Sequence, residues 1–295
     1  MTPVTPDTTA YVQWFRQSSP YINAHRGKTF VLMCEGDAIA DANFTNVVQD
    51  IALLTSLGVR LVLVHGARPQ IDMALERLGA QSTFHKDFRI TDRQALTAVK
   101  AAVGYVKADI ESRMSVGLPN SPMHGARMRV VSGNFVTARP MGVIDGIDFQ
   151  HTGEVRRIDH SAITDLLAAG NIVLLSCLGY SPSGEVFNLA VEDFARHTAT
   201  SLRADKLILM GQDDGLLDNT GHTLQQLTCR ALEERLPQIS GEARNHAEAA
   251  LRAVSQGVPR AHLISFHHDG ALLQELFTRE GKGTMISQDP YDQLR

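Results

Sequence analysis

The sequence predicts an α/β fold: a three-layer αβα sandwich around a mainly parallel sheet, with an inserted β-hairpin region and an N-terminal helix. Three observations predict it. Between Lys28 and Leu78, short apolar runs alternate with amphipathic stretches of helical period, the pattern of a parallel sheet covered on both faces. Between Met128 and Ile158 the texture changes to residue-by-residue alternation and Gly/Asp-rich turns, which reads as antiparallel hairpins. From Ser161 the first pattern returns and runs to Ser287.

In order, Thr9–Ser18 is amphipathic, with Tyr11, Trp14 and Phe15 on one helical face, and Pro20 is expected to stop the helix. That face needs a cover, either its own domain or another subunit. Lys28–Met33 reads as the first strand and Asn43–Leu57 as a helix closed by Gly58. Leu61–Val64 follows as a strand, and Pro69–Leu78 as a helix whose first turn suits proline's fixed φ. Asp92–Met114 reads as a long helix. Met128–Thr137 and Gly142–Ile158 read as hairpins turning at Ser132-Gly133 and Asp145-Gly146, a possible flap over the sheet. Helices are then expected at Ser161–Ala169, Val191–Arg203, Leu224–Glu234, Glu242–Gln256 and Ala271–Phe277. Strands are expected at Ile172–Ser176, Lys206–Met210, Ala261–Ser265 and Thr284–Ser287.

The stretch Leu61–Asp72 joins a strand end, a tight turn and a helix N-terminus, where free amides and the helix dipole favour anions. Its turn, His65-Gly66-Ala67-Arg68, has a single glycine where a phosphate cradle needs several.

Composition excludes several function classes. A net charge of −4 lacks the basic footprint of a nucleic-acid binder. No run approaches the ~18 apolar residues of a membrane helix, and the first ten residues lack the regions of a signal peptide. Cys34, Cys177 and Cys229 form no Cys-x-x-Cys pair, so neither a disulfide framework nor a thiolate zinc site is expected, and a reducing cytoplasm is the natural setting. Cys34 and Cys177 lie in apolar runs and read as buried small hydrophobes. Walker A, G-x-G-x-x-G after a strand, His-Glu-x-x-His and Gly-x-Ser-x-Gly are absent. The pair His267-His268 lacks further spaced ligands, so no metal is expected. Gln238–Ala243 matches a short acetyl-coenzyme A loop pattern, Q-x-x-G-x-A, but follows a helix and Pro237 rather than a strand, and reads as a chance match.

Thr29–Ile39, Leu63–Ile71, Val186–Ala190, Arg203–Leu209 with Gly215–Asp218, and Gly270–Ile286 together resemble the amino-acid kinase family, in its N-acetylglutamate kinase-like branch, in both order and spacing. The resemblance covers nearly the whole chain, yet it fails where phosphoryl transfer needs it. Met33 stands at the family's phosphate-binding Lys, followed by Cys34, Glu35 and Gly36 in place of the Gly-Gly pattern. Gly66-Ala67-Arg68 replaces a triple-glycine turn. In the Asn-x-Asn-Ala-Asp run, Asn188 is kept, the second Asn is Ala190 and the Asp is Glu192; the late catalytic Lys falls on His246. Positioning and charge carry this reaction, so the implied kinase site (Met33, Gly36, Gly66, Arg68, Asn188, Glu192, His246) reads as degenerate.

That pattern of loss, with Pro20–Asn23, His25-Arg26, Val131–Phe135 and Gly153–Asp159, is similar to the arginine-sensing amino-acid kinase-like domains of bacterial N-acetylglutamate synthases. The resemblance implies an L-arginine-binding domain with no catalytic residue and no cofactor of its own. Acetyl-CoA would be the substrate of a separate acetyltransferase domain absent from this chain. It also implies a dimer or hexamer joined through the N-terminal helix. The corresponding division is 1–24 for leader and oligomerisation helix, 25–288 for the kinase-like domain, and 289–295 for the start of a linker. In the implied arginine site, Glu275 takes the guanidinium, Gly281 permits close backbone approach, Tyr21 and Gln17 close the helix side, and Lys206 meets the ligand carboxylate. The other readings are a solvated helix charge for Glu275 and a packed aromatic for Tyr21. The rival function is an active acylamino-acid kinase using ATP, with Arg68 and His246 in place of lysines; a purely structural ring-forming scaffold is a third.

Overall fold

The computed structural model describes residues 8–115, 121, 123–218 and 220–288. The expected leader before Thr8, the expected linker at 289–295 and the Tyr11 side chain lie outside the described residues.

The first strand, Thr29–Cys34, is buried on both faces and so is apolar at every position after Thr29. Its side chains alternate between two cores. Phe30, Leu32 and Cys34 join one, with Phe44, Val47 and Ala98; Val31 and Met33 join the other, with Phe194, Ala195 and Ala247. Helices Phe44–Ser56 and Arg93–Ser115 therefore cover one face, and Val191–Ser201 and Gly241–Ser255 the other. This is the expected αβα sandwich.

The sheet has eight strands, in spatial order Gln226–Thr228, Thr284–Ser287, Arg260–Ser265, Lys206–Gly211, Thr29–Cys34, Arg60–His65, Ile172–Ser176 and Val130–Ser132. Every pairing is parallel except that of Arg260–Ser265 with Thr284–Ser287. Beside the sheet, Val136–Pro140, Thr152–Ile158, Leu178–Tyr180 and Val186–Leu189 close into a small four-stranded barrel. No helix among the described residues is long and apolar enough to cross a membrane. All three cysteines are free and buried, and burial pushes the Cys34 and Cys177 thiols up to about 12.

Three expectations are corrected. Pro20 does not stop the first helix, which runs Thr8–His25 with the proline inside it. An interior proline costs roughly 3 kcal/mol. Here the residues beyond it repay that by burial: Tyr21 and His25, one turn apart, are 8% and 3% exposed, and the His25 ring packs edge-on against both Phe30 and Phe277. The Met128–Thr137 hairpin does not form. Val130–Ser132 is instead a parallel edge strand on Ile172–Ser176, and the chain then crosses to the barrel. The Asp145-Gly146 turn does form, with both residues at positive φ between Val143–Ile144 and Ile147–Asp148. Finally, Leu224–Glu234 is not one helix: Gln226–Thr228 pairs with Thr284–Ser287, and helix Cys229–Arg235 starts only after the Thr228 cap. In both of these failures strand neighbours distant in sequence override the local pattern, hairpin alternation in the first and helical period in the second.

Candidate functional site

The carboxyl ends of the central strands open on a cleft. Its floor is made by two loops that leave parallel neighbours, Glu35-Gly36 after the first strand and Gly66–Arg68 after the second. The loops touch. A Cβ on Gly36 would collide with the Gln70 side chain and lie 2.8 Å from Pro69 Cδ, and Gln70 Nε2 donates to the Gly36 carbonyl at 2.7 Å. Glycine at 36 is thus needed for close approach, not for a positive φ. Helix Arg68–Arg77 starts here with proline in its first turn, as expected. Above the floor lie Asn188, Glu192 and Glu242 around a cavity of about 80 Å³. A wider groove of about 990 Å³ continues from Arg68 and Glu192 past Arg196 and Arg244.

Six of the seven kinase-pattern positions gather here. Gly36, Gly66, Arg68, Asn188 and Glu192 line the cavity. His246 sits just behind it, its Nε2 2.8 Å from Glu35 Oε1. The exception is Met33, which is fully buried in the core and faces no cavity. Asn188 donates to Thr91 Oγ1 at 3.2 Å, so its amide is held by the segment that leads into helix Arg93–Ser115.

The cleft is rich in carboxylates. Burial, with Glu192 and Asp37 nearby, pushes Glu35 up to about 7, against the lowering effect of its hydrogen bond with Glu242. Burial and the Glu35 contact push Glu242 up to about 8. Burial holds His246 below its usual value. Burial thus favours the protonated form of the Glu35 and Glu242 carboxyls and the neutral form of the His246 ring. A phosphoryl group entering here would meet five acidic side chains, Glu35, Asp37, Asp87, Glu192 and Glu242, with only Arg68 and Arg89 to offset them and no lysine on the cavity wall, an acidic excess opposite to what its charge requires.

The second cluster lies on the same sheet, at the other ends of the strands. Lys206, at the start of its strand, is 2% exposed and has its Nζ 3.5 Å from His262 Nε2. His262 Nδ1 stands 2.7 Å from Glu275 Oε1, and Glu275 Oε2 accepts from the amides of Lys282 and Gly283 at 2.7 and 2.8 Å. An ammonium only donates, so His262 Nε2 accepts from Lys206 and Nδ1–H donates to Glu275. Glu275 is 0% exposed. It is not a solvated helix charge; its carboxylate pins the loop that carries Gly281, whose φ is +69°. A guanidinium reaches Glu275 only if this loop moves.

Tyr21 is buried on the same side, with its ring 6.5 Å from His25. His25 Nε2 bonds the Leu276 carbonyl at 2.7 Å, and burial lowers its pKa to about 4. Of the five expected arginine-site residues, Tyr21, Lys206, Glu275 and Gly281 surround one region. Gln17 stands apart, one helical turn before Tyr21 and exposed. Sequence reasoning marked Glu35 only as a departure from the kinase pattern and missed His25, His262 and Glu242 as site residues. Of these three, only His25 carried a signal, its place four residues after Tyr21 on one helix face.

Comparison with known proteins agrees with this geometry. Residues 28–265 match the model of the amino acid kinase family. The amino-acid acetyltransferases of Pseudomonas syringae pv. tomato and Ectopseudomonas mendocina are each 52% identical over 286 residues, 97% of this chain and 66% of theirs. The chain thus spans just under two thirds of the length of these relatives. The crystal structure of N-acetylglutamate synthase from Neisseria gonorrhoeae, complexed with coenzyme A and L-arginine, superposes with a TM-score of 0.88 at 35% identity, covering 95% of this chain and 66% of that one. Carbamate kinase from Giardia lamblia, bound to AMP-PNP, shares the fold at a TM-score of 0.66 and 14% identity, covering 89% of this chain and 99% of that one. By the extent of the family match and the order of its sheet, this chain belongs to the amino acid kinase family.

Proposed function

We propose that this chain is the L-arginine-binding regulatory domain of an N-acetylglutamate synthase, the enzyme that makes N-acetyl-L-glutamate from acetyl-CoA and L-glutamate, and that it transfers no phosphate itself. The observation that carries the reading is the contrast between its two clusters. The cleft where a kinase would bind phosphate holds Glu35, Glu192 and Glu242, while Met33 is sealed in the core. The Lys206–His262–Glu275 chain, on the same side as Tyr21, combines a cation, a carboxylate and a glycine-containing loop, the groups an amino acid with a guanidinium needs. The relative solved with L-arginine supports the same ligand. In this reading 25–288 is the sensor, 289–295 leads toward an acetyltransferase domain, and the setting is the cytoplasm.

Self-association belongs to the proposal. Trp14 and Phe15 are 51% and 55% exposed on the first helix, an apolar face suited to a second copy in a dimer or hexamer. Calorimetry with L-arginine, N-acetylglutamate and ATP separates the readings. Saturable arginine binding that Glu275→Ala abolishes is expected, with no ADP release. ATP-dependent turnover of N-acetylglutamate would instead establish the acylamino-acid kinase, and oligomers indifferent to all three ligands a scaffold.

A further inference from the structure

The cleft is more than an eroded kinase site. Three of its departures from the kinase pattern lie at separate points of the chain: Glu35 after the first strand, Glu192 in the first turn of helix Val191–Ser201, and His246 in helix Gly241–Ser255. Folding brings them together, so that one donor atom from each lies within 4.8 Å of the others. All three are more than nine-tenths buried, at 8%, 8% and 5% exposure.

Two further observations point to a ligand. Glu192 makes no hydrogen bond or ion pair among the described residues, although it faces both Glu35 and His246. At 8% exposure this carboxylate faces the cleft with little of its hydration left, and its position in the first helical turn offsets only part of that loss. The second observation is the room made for the imidazole. Gly211, the last residue of its strand, would with any Cβ collide with the His246 ring and lie 3.0 Å from Glu242 Oε1. The strand end is bare where the donors converge.

We propose that Glu35, Glu192 and His246 bind one divalent first-row transition-metal cation in this cleft. Two carboxylate oxygens and one imidazole nitrogen suit zinc, manganese, iron or nickel. Magnesium and calcium prefer all-oxygen shells, and the chain offers no thiolate here. Donors around a four-coordinate zinc stand about 3.4 Å apart at bond lengths of ~2.1 Å. Glu35 and His246, 2.8 Å apart, would part slightly, and Glu192, whose donor atom lies within 4.8 Å of both, would draw in to close the set. The cation takes the place of the hydrogen between Glu35 and His246, and gives Glu192 its missing partner. Three protein donors leave a position open toward the cavity and Arg68, where water or an anionic group completes the shell. Glu242, hydrogen-bonded to Glu35, orients that ligand from outside.

This inference is independent of arginine binding, which uses the opposite ends of the strands. Chelator-treated protein titrated with zinc and with manganese by calorimetry tests it. Saturable binding of one equivalent is expected, with zinc tighter than manganese and a rise in melting temperature at stoichiometric metal. Cobalt should give a visible d–d band. His246→Gln and Glu192→Gln should each weaken binding at least tenfold and remove the cobalt band, with unchanged circular dichroism and unchanged arginine binding as controls for folding. His268→Ala, at the exposed pair with Asp214, should change nothing. Absence of saturable binding overturns the proposal. So does binding that survives both cleft substitutions or disappears with His268→Ala, which would place the metal on the surface histidines.

Discussion

Replacing Glu275 by glutamine removes a charge and one acceptor while keeping the shape, and the geometry fixes what must go wrong. One carboxylate oxygen accepts the amides of Lys282 and Gly283, and the other accepts Nδ1–H of His262, whose tautomer is dictated by Lys206 on its far side. Glutamine offers one oxygen and one NH₂. If the oxygen keeps the two amides, NH₂ faces Nδ1–H; if it turns to His262, NH₂ faces two N–H groups. Either arrangement leaves at least one buried donor unpaired, at about 1–3 kcal/mol, and deprives the buried Lys206 of a nearby negative charge. A total of about 2–4 kcal/mol follows, which for a domain of this size lowers the melting temperature by roughly 5–15 °C. Urea denaturation at neutral pH measures it directly. A loss below about 0.5 kcal/mol would refute the network as described, since no repacking of the amide satisfies all the donors.

Two other outcomes are expected. Asp50 is buried, its carboxylate has no hydrogen-bonding partner among the described residues, and burial, with Asp269 nearby, raises it from 3.8 to about 7. The folded state holds this proton more tightly than the unfolded chain, so the stability it contributes is lost as pH rises from about 4 through 7; Asp50→Asn should gain on wild type across that window, by at most about 4 kcal/mol at pH 8. Urea midpoints at several pH values check this, and a gain independent of pH would contradict it. Gly211→Ala should displace the His246 ring and cost about 1–3 kcal/mol, read by thermal denaturation.

Most of the fold was legible because its strands are buried on both faces. Ile172–Ser176 and Thr284–Ser287 were bounded by residue alone, since continuous apolar runs between turn residues have few other homes. Val130–Ser132 and Gln226–Thr228 were not. Each is three residues long and takes its identity from a neighbour more than forty positions away. Pro20 failed for a related reason: the packing that holds its helix together comes from Phe30 and Phe277, outside any local window. The same limit governed the sites. Glu275 was found by family position, but the His262 contact that makes it a buried network arises from a strand residue with no pattern of its own. Glu35, Glu192 and His246 could each be marked as a departure from the kinase pattern. Their convergence could not, because it is a property of three chain crossings.

The position of Thr284–Ser287 between Arg260–Ser265 and Gln226–Thr228 also sets an order of assembly. Gln226–Thr228 has no other strand neighbour, so it and the helix it leads into must wait for the last strand to arrive. Until residue 287 has been synthesised, Arg260–Ser265 presents an open edge. Long-range closure of this kind is slow, and an exposed edge recruits other strands in the meantime. During translation, then, the vulnerable interval of this sheet lasts about 1–4 seconds, between the emergence of residue 265 and that of residue 287, at roughly 5–20 residues per second. A chaperone, or rapid pairing of the last two strands, would have its largest effect there.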